Sequence, residues 1–485
     1  MDALLAGDLA RLPELLGMTR EYAVRFLAGL DERAAAHAGW RAADGKAPLP
    51  AEGRGLAAAL AEFGERWEAG LSGSAGPRYL GFVTGGATPA GLAGDWLTGT
   101  YDQNAASGGD SCAAELEQET LRWLRELFGL GDAHSGAFVS GATAANTVGL
   151  AIAREWVGER LGVRVSRAGA DALGPVTVLS GAPHSSIGKA LSILGIGRDR
   201  LRTVATLPGR EAVDVPALAT ALAELRGRPA VVVANAGTVN TVDFDDLRAV
   251  AALRDRFPFW LHVDAAFGGF AALSPAHAHL TAGLDLADSV CVDLHKWLNV
   301  PYDCAVQFTR RRDLQTAVFH NASPYLGVPD PADPDFLHLT PENSRRLRAL
   351  PAWLTLTAYG AAGHGEIVVR NAACAASLAA ALDAEPAFRL LAPARLNVVC
   401  FTLADHPTPA RLAALSAAVT ASGEAFLTPT VYGGGPALRA AFSNWRTTEA
   451  DTARVHRALV TAARDLPAPE QPRHQPYRGE EARTP

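Results

Sequence analysis

A single lysine, Lys296, stands just after a short apolar run, in a setting that could change its chemistry. The run Ser289–Val292 is followed by Asp293, then His295, Lys296 and Trp297. A lysine that follows a buried strand and adjoins an aromatic ring is partly desolvated, which favours the neutral amine needed to form an imine with a carbonyl compound. A surface lysine after a strand is the ordinary alternative, and Lys296 alone does not decide between the two.

A carboxylate ends another apolar run upstream. In the segment Trp260-Leu-His-Val-Asp264-Ala-Ala, a predicted strand delivers Asp264 at its carboxyl end. Such an aspartate often caps a helix. It can also pair with the pyridine nitrogen of pyridoxal 5'-phosphate (PLP), because an ionised acid keeps that nitrogen protonated and the ring electron-accepting.

Three further strand ends carry small or polar residues. Ser140-Gly-Ala-Thr-Ala-Ala-Asn146 lies between a strand and a helix, where backbone N–H groups and the helix dipole suit a phosphate. It lacks the GxxxxGK[ST] and GxGxxG spacings, which disfavours a nucleotide site. His184 follows another run and could stack on a flat ring or move protons, and Thr238 follows a third. Together, the five strand ends predict a PLP site.

One sheet must bring these strand ends together. From about residue 115, short β-branched runs alternate with helical patterns, which predicts an α/β fold with a mostly parallel sheet covered on both faces. In such sheets, sites lie at the carboxyl ends of the strands. The predicted strands are Gly136–Val139, Val176–Ser180, Leu201–Ala205, Ala230–Ala234, Trp260–Val263, Ser289–Val292 and Ala305–Thr309.

The pattern divides the chain into four parts. They are an N-terminal helical arm (1–75), a large PLP-binding α/β domain (76–370), a small C-terminal α+β domain (371–466) and a tail (467–485). The tail is predicted to be disordered because it is rich in Pro, Glu, Arg and Gln. A helix is predicted over Pro341–Val369, and the small domain has strand candidates at Leu396–Thr402 and Phe426–Val431.

Composition excludes several classes of function. The net charge is -7 with the two signs interspersed, which argues against a nucleic-acid binder or a protein of membrane surfaces. Five scattered cysteines without a CxxC pair indicate reduced thiols in a cytoplasmic protein, with no disulfide framework and no metal site. We expect no signal peptide, and no uncharged apolar stretch long enough to span a bilayer.

With these residues in place, the chain resembles the group II PLP-dependent amino-acid decarboxylases, which include the aromatic-L-amino-acid, histidine and glutamate enzymes. The resemblance covers residues 75 to 450. Its most specific element is the attachment-site signature Ser289-Val-x5-Lys296-Trp. The other matching motifs are His-Val-Asp264-Ala-Ala, Ala142-Thr143, His184-Ser-Ser and Asn444-Trp-Arg-Thr-Thr448.

The resemblance implies a role for each cofactor residue. Lys296 would carry PLP as a Schiff base, and Asp264 would pair with the pyridine nitrogen. His184 would stack on the ring and act in catalysis. The phosphate would be held by Ala142, Thr143 and His295, with Asp293 nearby. Thr238 would lie on the Asp264 side of the ring.

The resemblance also implies substrate contacts. Thr84 matches a position near the substrate carboxylate, and His184 would contact substrate as well. Pro324-Tyr325-Leu326 resembles the family's mobile loop, whose tyrosine returns a proton to the substrate carbon after CO2 leaves. The implied fold is PLP fold type I, the aspartate-aminotransferase type, with a seven-stranded sheet. The implied assembly is a homodimer with the active site at the subunit interface.

The implied activity is that of a lyase, the decarboxylation of an L-amino acid to the corresponding amine and CO2. Gly81-Phe82-Val83 replaces the Tyr-x-Pro of the aromatic enzymes, Asn104 to Ser111 lacks their usual Trp or Pro, and Ala144 replaces a common Glu, so the substrate stays open. The alternatives are a retro-aldol lyase, an aminotransferase or an oxidative aldehyde synthase. A non-enzymatic PLP-binding protein is disfavoured, because it would need neither Lys296 nor Asp264.

Overall fold

The computed structural model describes residues 1–37, 48–321 and 334–467. Two predictions fall on other parts of the chain. The loop Pro324–Leu326, with Tyr325, lies outside the described residues, and so does all but the first residue of the predicted tail.

A seven-stranded sheet forms the centre of the large domain, as predicted. Its order is β1-β7-β6-β5-β4-β2-β3, and every neighbouring pair is parallel except the two pairs that involve β7. All seven predicted runs are strands, with ends shifted by at most two residues. The strands are β1 Ser135–Val139, β2 Val178–Ser180, β3 Leu201–Thr203, β4 Ala230–Asn235, β5 Phe259–Asp264, β6 Ser289–Val292 and β7 Ala305–Thr309.

The central strands are buried on both faces. In β4, Val232 belongs to one hydrophobic core, and Val231 and Val233 belong to the other. This alternation follows from the two-residue period of a strand, and it explains why the run reads as continuously apolar. The helices of the large domain are α4 Pro89–Tyr101, α5 Ala113–Leu127, α6 Ala142–Leu161, α7 Val165–Ala168, α8 Ser185–Ile193, α9 Val215–Ala223, α10 Leu247–Ala252, α11 Leu294–Trp297 and α12 Arg312–Phe319.

The small domain has an antiparallel sheet of order β10-β11-β9-β8. Two of these strands match the predicted candidates, and β8 and β11 were not predicted. The strands are β8 Phe388–Leu390, β9 Val398–Leu403, β10 Thr428–Tyr432 and β11 Gly435–Ala441, and the helices are α13 Ala349–Asp383, α14 Pro409–Ala421 and α15 Glu449–Arg464.

The helix predicted over Pro341–Val369 was wrong at both ends. It begins at Ala349, because the preceding segment holds Arg345 in a buried ion pair with Glu117. It continues to Asp383 through an alanine-rich stretch, with a non-helical residue at Gly360 (φ 60°, ψ −177°). The predicted domain boundary at 370/371 therefore falls inside α13.

By length and composition alone, α13 could cross a membrane, although every 18-residue window of it contains Glu366 or Arg370. More than half of its apolar window, 56%, is buried inside the fold, and α13 packs against α4, α5 and α15. A buried core helix meets the same criteria, so this helix is weak support for a membrane span.

The N-terminal arm is helical, as predicted. Its helices are α1 Ala3–Ala10, α2 Leu12–Ala28 and α3 Gly55–Arg66. Within the chain most of its regularly spaced leucines are exposed rather than buried, and among those of α1 and α2 only Leu15 is buried.

Candidate active site

The carboxyl ends of the sheet strands enclose a cavity of about 370 Å³. Most of its lining residues lie at or after the ends of five strands. The sequence analysis predicted several of these residues as site residues. The predicted residues in the lining are Ala142, Thr143, His184, Asp264, Asp293, His295 and Lys296.

Lys296 enters the cavity from α11, the short helix that follows β6. Its Nζ lies 3.8 Å from Asp293 Oδ2 and 5.4 Å from the ring centroid of Phe267. Gly85 allows the neighbouring segment to approach closely, because a Cβ there would lie 2.0 Å from the Lys296 carbonyl oxygen. The amine is therefore held between a carboxylate and an aromatic face, where it can attack a bound carbonyl carbon.

Asp264 ends β5 and is 8% exposed. Its Oδ2 accepts a hydrogen bond from Asn146 Nδ2 at 2.9 Å, and its Oδ1 accepts one from the Ala266 N–H at 3.2 Å. Asp264 forms no ion pair with any residue that the structure describes. A buried carboxylate needs a cationic partner, and two donors leave acceptor capacity unused. A protonated pyridine nitrogen meets that need, so the site fits PLP.

The predicted phosphate loop forms the N-terminus of α6. The Ala142 N–H donates to Asp293 Oδ2 at 3.1 Å, so this amide is already bonded. The amides of Thr143 and Ala144 belong to the first turn, where an α-helix offers no internal acceptor. They are the donors that a phosphate would find. His295 Nδ1 lies 2.8 Å from Asp293 Oδ1 in a geometry that is not a hydrogen bond, so this contact places Asp293 beside the phosphate position without fixing the ring.

His184 caps the N-terminus of α8. Its Nδ1 accepts a hydrogen bond from the Ser186 N–H at 3.2 Å, so the proton of the neutral ring lies on Nε2. His184 is exposed to the open cavity, and the surrounding cavity wall desolvates its ring enough to lower its pKa, against a smaller opposing effect of Asp264. The ring that lines the cavity is therefore neutral near pH 7.

Two predicted residues lie behind the cavity wall. The Thr238 hydroxyl donates to Glu211 Oε2 at 2.6 Å, and only its neighbours Gly237 and Val239 line the cavity. Thr84 is buried, and its Oγ1 lies 3.3 Å from the hydroxyl of Tyr302, which does line the cavity. Both residues support the wall and do not form it. Tyr325 lies outside the described residues.

Arg439, on β11, is a cavity residue that the sequence analysis missed. It is 4% exposed; one terminal nitrogen donates to the Val239 carbonyl, and Nη2 donates to the Phe82 carbonyl at 2.9 Å. Its Nε has no hydrogen-bond partner among the described residues. Burial lowers the pKa of Arg439 to about 10, so it remains a cation. No signal in the sequence could have found it, because its strand was not predicted.

Tyr302, another missed residue, lies over the phosphate side of the site. Its ring centroid is 4.2 Å from that of His295, and the side chain is 62% exposed. Phe82 completes this wall with a positive φ of 55°. Beside it, a Cβ at Gly81 would lie 2.2 Å from the ring of Phe426, so the small domain fixes the position of this segment.

Comparison with known proteins agrees with this geometry. A family model, the pyridoxal-dependent decarboxylase conserved domain, matches residues 60–404. The chain is 31% identical over 431 residues to L-2,4-diaminobutyrate decarboxylase of Rhizobium meliloti (strain 1021), over 86% of this chain and 84% of that protein. It is 26% identical over 403 residues to phenylacetaldehyde synthase of a Rosa hybrid cultivar, over 77% of each chain.

The fold is also that of a solved structure from rice. The crystal structure of Oryza sativa TDC with PLP and tryptamine matches with a TM-score of 0.87 and 23% identity, over 96% of this chain and 99% of that chain. The family model spans Asp264, Lys296 and every residue that lines the cavity except Arg439. The chain therefore belongs to the pyridoxal-dependent decarboxylase family, and PLP is its cofactor.

Proposed function

We propose that this enzyme removes the α-carboxylate of an L-amino acid and releases CO2 and the corresponding amine. The observation that carries the proposal is the presence, in one cavity, of Lys296 and a buried carboxylate, Asp264, that has no cationic partner among the described residues. When bound, PLP supplies an electron-accepting ring for the electron pair that the leaving carboxylate releases.

The protein's own groups would then act at defined atoms. Lys296 Nζ would bind the cofactor carbonyl carbon, give way to the substrate amine and release the product amine. The ionised Asp264 would hold the proton on the ring nitrogen. His184 would lie over the ring, with its Nε2–H available to donate a hydrogen bond. The amides of Thr143 and Ala144 would bind the phosphate.

We also propose that Arg439 binds a carboxylate of the substrate. It is buried, it lines the cavity and its Nε has no partner among the described residues. Arg439→Met should raise KM about tenfold or more, because a hydrogen bond to a charged group contributes about 1.5–3 kcal/mol. Arg439→Lys should recover part of the loss. An unchanged KM in Arg439→Met would exclude the contact.

The decisive experiment is a product assay with a panel of L-amino acids, in which CO2, amine, aldehyde and O2 uptake are measured together. Amine and CO2 in equal amounts without O2 uptake support decarboxylation. Aldehyde with O2 uptake would instead indicate an oxidative synthase, and a keto acid would indicate transamination. The similarity to an aldehyde synthase makes the oxidative reaction the second candidate.

Single substitutions test the residues. Lys296→Ala should remove both turnover and the visible absorption band of the covalently bound cofactor, whereas Lys189→Ala, an exposed lysine on α8, should keep both. Turnover at the wild-type rate in Lys296→Ala would refute the assignment.

Tyr325→Phe should suppress amine formation and yield carbonyl product. Unchanged amine formation would remove Tyr325 from the mechanism.

We further propose that the chain forms a homodimer, with its N-terminal arm at the interface. Leu5, Leu9 and Leu16 are exposed on the arm, and Trp96 and Tyr101 are exposed on α4. Exposed apolar surface of this kind marks an interaction site. Light scattering should give twice the monomer mass, and Leu9→Glu should lower it. Val431→Glu, at an exposed site on β10, is the matched control.

We further propose that the protein is cytoplasmic, as its scattered cysteines predict. All five cysteines are free, and four of them are buried. Fractionation of the native host, with the protein recovered in the soluble cytoplasmic fraction, would test it.

A further inference from the structure

A row of buried polar side chains continues behind Asp264, away from the cavity. Trp260 Nε1 lies 2.9 Å from Ser289 Oγ, and Ser289 Oγ lies 2.7 Å from His262 Nδ1. His262 Nε2 lies 2.9 Å from Asn146 Oδ1, and Asn146 Nδ2 donates to Asp264 Oδ2 at 2.9 Å. The four side chains behind Asp264 are at most 1% exposed. Burial excludes bulk solvent from these side chains, so their polar groups are paired within the protein.

The direction of each hydrogen bond in the row follows from its ends. The indole N–H of Trp260 can only donate, so Ser289 accepts from it and gives its own hydrogen to His262 Nδ1. The ring proton is then on Nε2, which donates to Asn146 Oδ1. The reverse direction would turn Asn146 Oδ1 toward the Asp264 carboxylate, where two acceptors would repel each other.

The amide of Asn146 serves a second catalytic group as well. Its Nδ2 also donates to Ser186 Oγ at 3.1 Å, and Ser186 Oγ lies 2.8 Å from His184 Nδ1. That Oγ can therefore give its hydrogen to Nδ1, which keeps the His184 proton on Nε2. The Asn146 amide thus connects Asp264, the carboxylate proposed to face the pyridine nitrogen of PLP, to His184 in the cavity wall.

We propose that His262, held by Ser289 and Trp260, is a positioning residue that locks the Asn146 amide in the orientation that Asp264 and His184 both require. The inference rests on the proposed role of Asp264 at the ring nitrogen. Neither the substrate nor the reaction enters it.

Two further observations support the assignment. Gly149 makes room for the ring, because a Cβ there would lie 2.6 Å from His262 Cε1 and 2.8 Å from His262 Nδ1. Burial lowers the pKa of His262 to about 4, so the ring stays neutral and keeps one donor and one acceptor. A charged imidazole would donate from both nitrogens and could not accept from Ser289.

The test compares three substitutions in the full-length enzyme. His262→Leu removes both hydrogen bonds, whereas His262→Gln keeps a donor near the Nε2 position. His134→Leu is the matched control, because His134 is equally buried, bonds the Ala287 carbonyl at 3.0 Å and precedes β1 at the other end of the sheet. The readouts are the Kd for PLP and the absorption spectrum of the bound cofactor across pH.

His262→Leu should raise the Kd for PLP about tenfold or more and shift the pH dependence of the spectrum, because Asp264 loses a fixed donor. His262→Gln should stay within about threefold of wild type, and His134→Leu should match wild type in both readouts. Wild-type affinity and spectrum in His262→Leu would overturn the proposal.

Two controls keep the result interpretable. If His262→Leu does not fold, Ser289→Ala and Trp260→Phe break the row farther from Asp264 and should change the spectrum in the same direction; no change in either overturns the proposal. Asp264→Asn distinguishes an error in the proposed role of Asp264 from an error in the proposed role of His262. If Asp264→Asn also leaves PLP binding and the spectrum unchanged, Asp264 does not act at the ring nitrogen. If Asp264→Asn alone changes them, Asp264 acts there but His262 does not position its donor.

Discussion

His262 should stay uncharged in the folded protein well below the pH at which an ordinary histidine takes up a proton. The ring is fully buried, and burial lowers its pKa from 6.5 to about 4, against a smaller opposing effect of Asp264. In the unfolded chain the ring is solvated and has its ordinary pKa. Between these two values the unfolded state therefore binds more protons than the folded state.

The size and sign of the effect on stability follow from this difference. The pKa is lower in the folded state, so the contribution of His262 is fully present above about pH 6.5 and is lost as the pH falls toward about 4. A difference of about 2.5 in pKa corresponds to about 3 kcal/mol in total. By pH 5.5 about 1.4 kcal/mol of this should be gone.

Histidine-selective carbon-13 NMR would measure the titration directly, with the His262→Gln spectrum identifying the signal among the 13 histidines. The His262 signal should not titrate above about pH 5. In urea unfolding, wild type should lose about 1.4 kcal/mol more than His262→Gln between pH 7.5 and pH 5.5. A signal with its midpoint near 6.5 would refute the reasoning, because the ring would then be able to take up a proton inside the fold.

Two packing predictions can be tested by the same unfolding measurement. Glu117→Gln should lower the free energy of unfolding by about 3–5 kcal/mol, because it leaves the fully buried Arg345 without its charged partner; a loss under 1 kcal/mol would contradict this. Gly136→Ala should cost about 1–3 kcal/mol, because its Cβ would lie 2.7 Å from the ring of Phe308. Gly131→Ala, with open space around it, is the control, and equal losses would refute the packing argument.

The large sheet was predictable because its strands are buried on both faces. Such strands read as continuous apolar runs, and Ala230–Asn235 is the clearest case. The missed strand Gly435–Ala441 starts with Gly and Pro, residues that are depleted in strands. The start of α13 was missed because the preceding segment looks helical, whereas its Arg345 is held by Glu117, far away in the chain. Tertiary contacts of that kind leave no local signal.

The same distinction holds for the site. Asp264 ends its strand, and His184 and Lys296 lie in the segments that follow theirs. Parallel strand ends meet at one edge of the sheet, so order along the chain predicts proximity. Arg439 reaches the cavity from the other domain, and only the fold brings it there. Asn146 lies inside the predicted phosphate loop, but its contact with Asp264 depends on the rotation of α6 against the sheet, which a one-dimensional pattern does not give.

The two carboxylates of the cavity, Asp293 and Asp264, have different contacts within the protein. Asp293 meets the Lys296 amine at 3.8 Å, the His295 ring at 2.8 Å and the Ala142 N–H at 3.1 Å. Asp264 meets only neutral donors among the described residues, from Asn146 and Ala266. Asp293 therefore has a lysine and a histidine beside it within the protein, whereas Asp264 has no such group among the described residues and remains available for a cationic ring.

This asymmetry predicts opposite outcomes for the same substitution at the two sites. Asp293→Asn should lower the stability of the PLP-free protein by about 2–3 kcal/mol, because it breaks contacts that already exist. Asp264→Asn should change that stability less, because the charge it removes is buried without a counter-ion, yet it should weaken PLP binding more. Urea unfolding without PLP and titration with PLP measure the two quantities. If Asp264→Asn is the more destabilising variant without cofactor, the carboxylate has a structural partner and its charge is not kept for the ring.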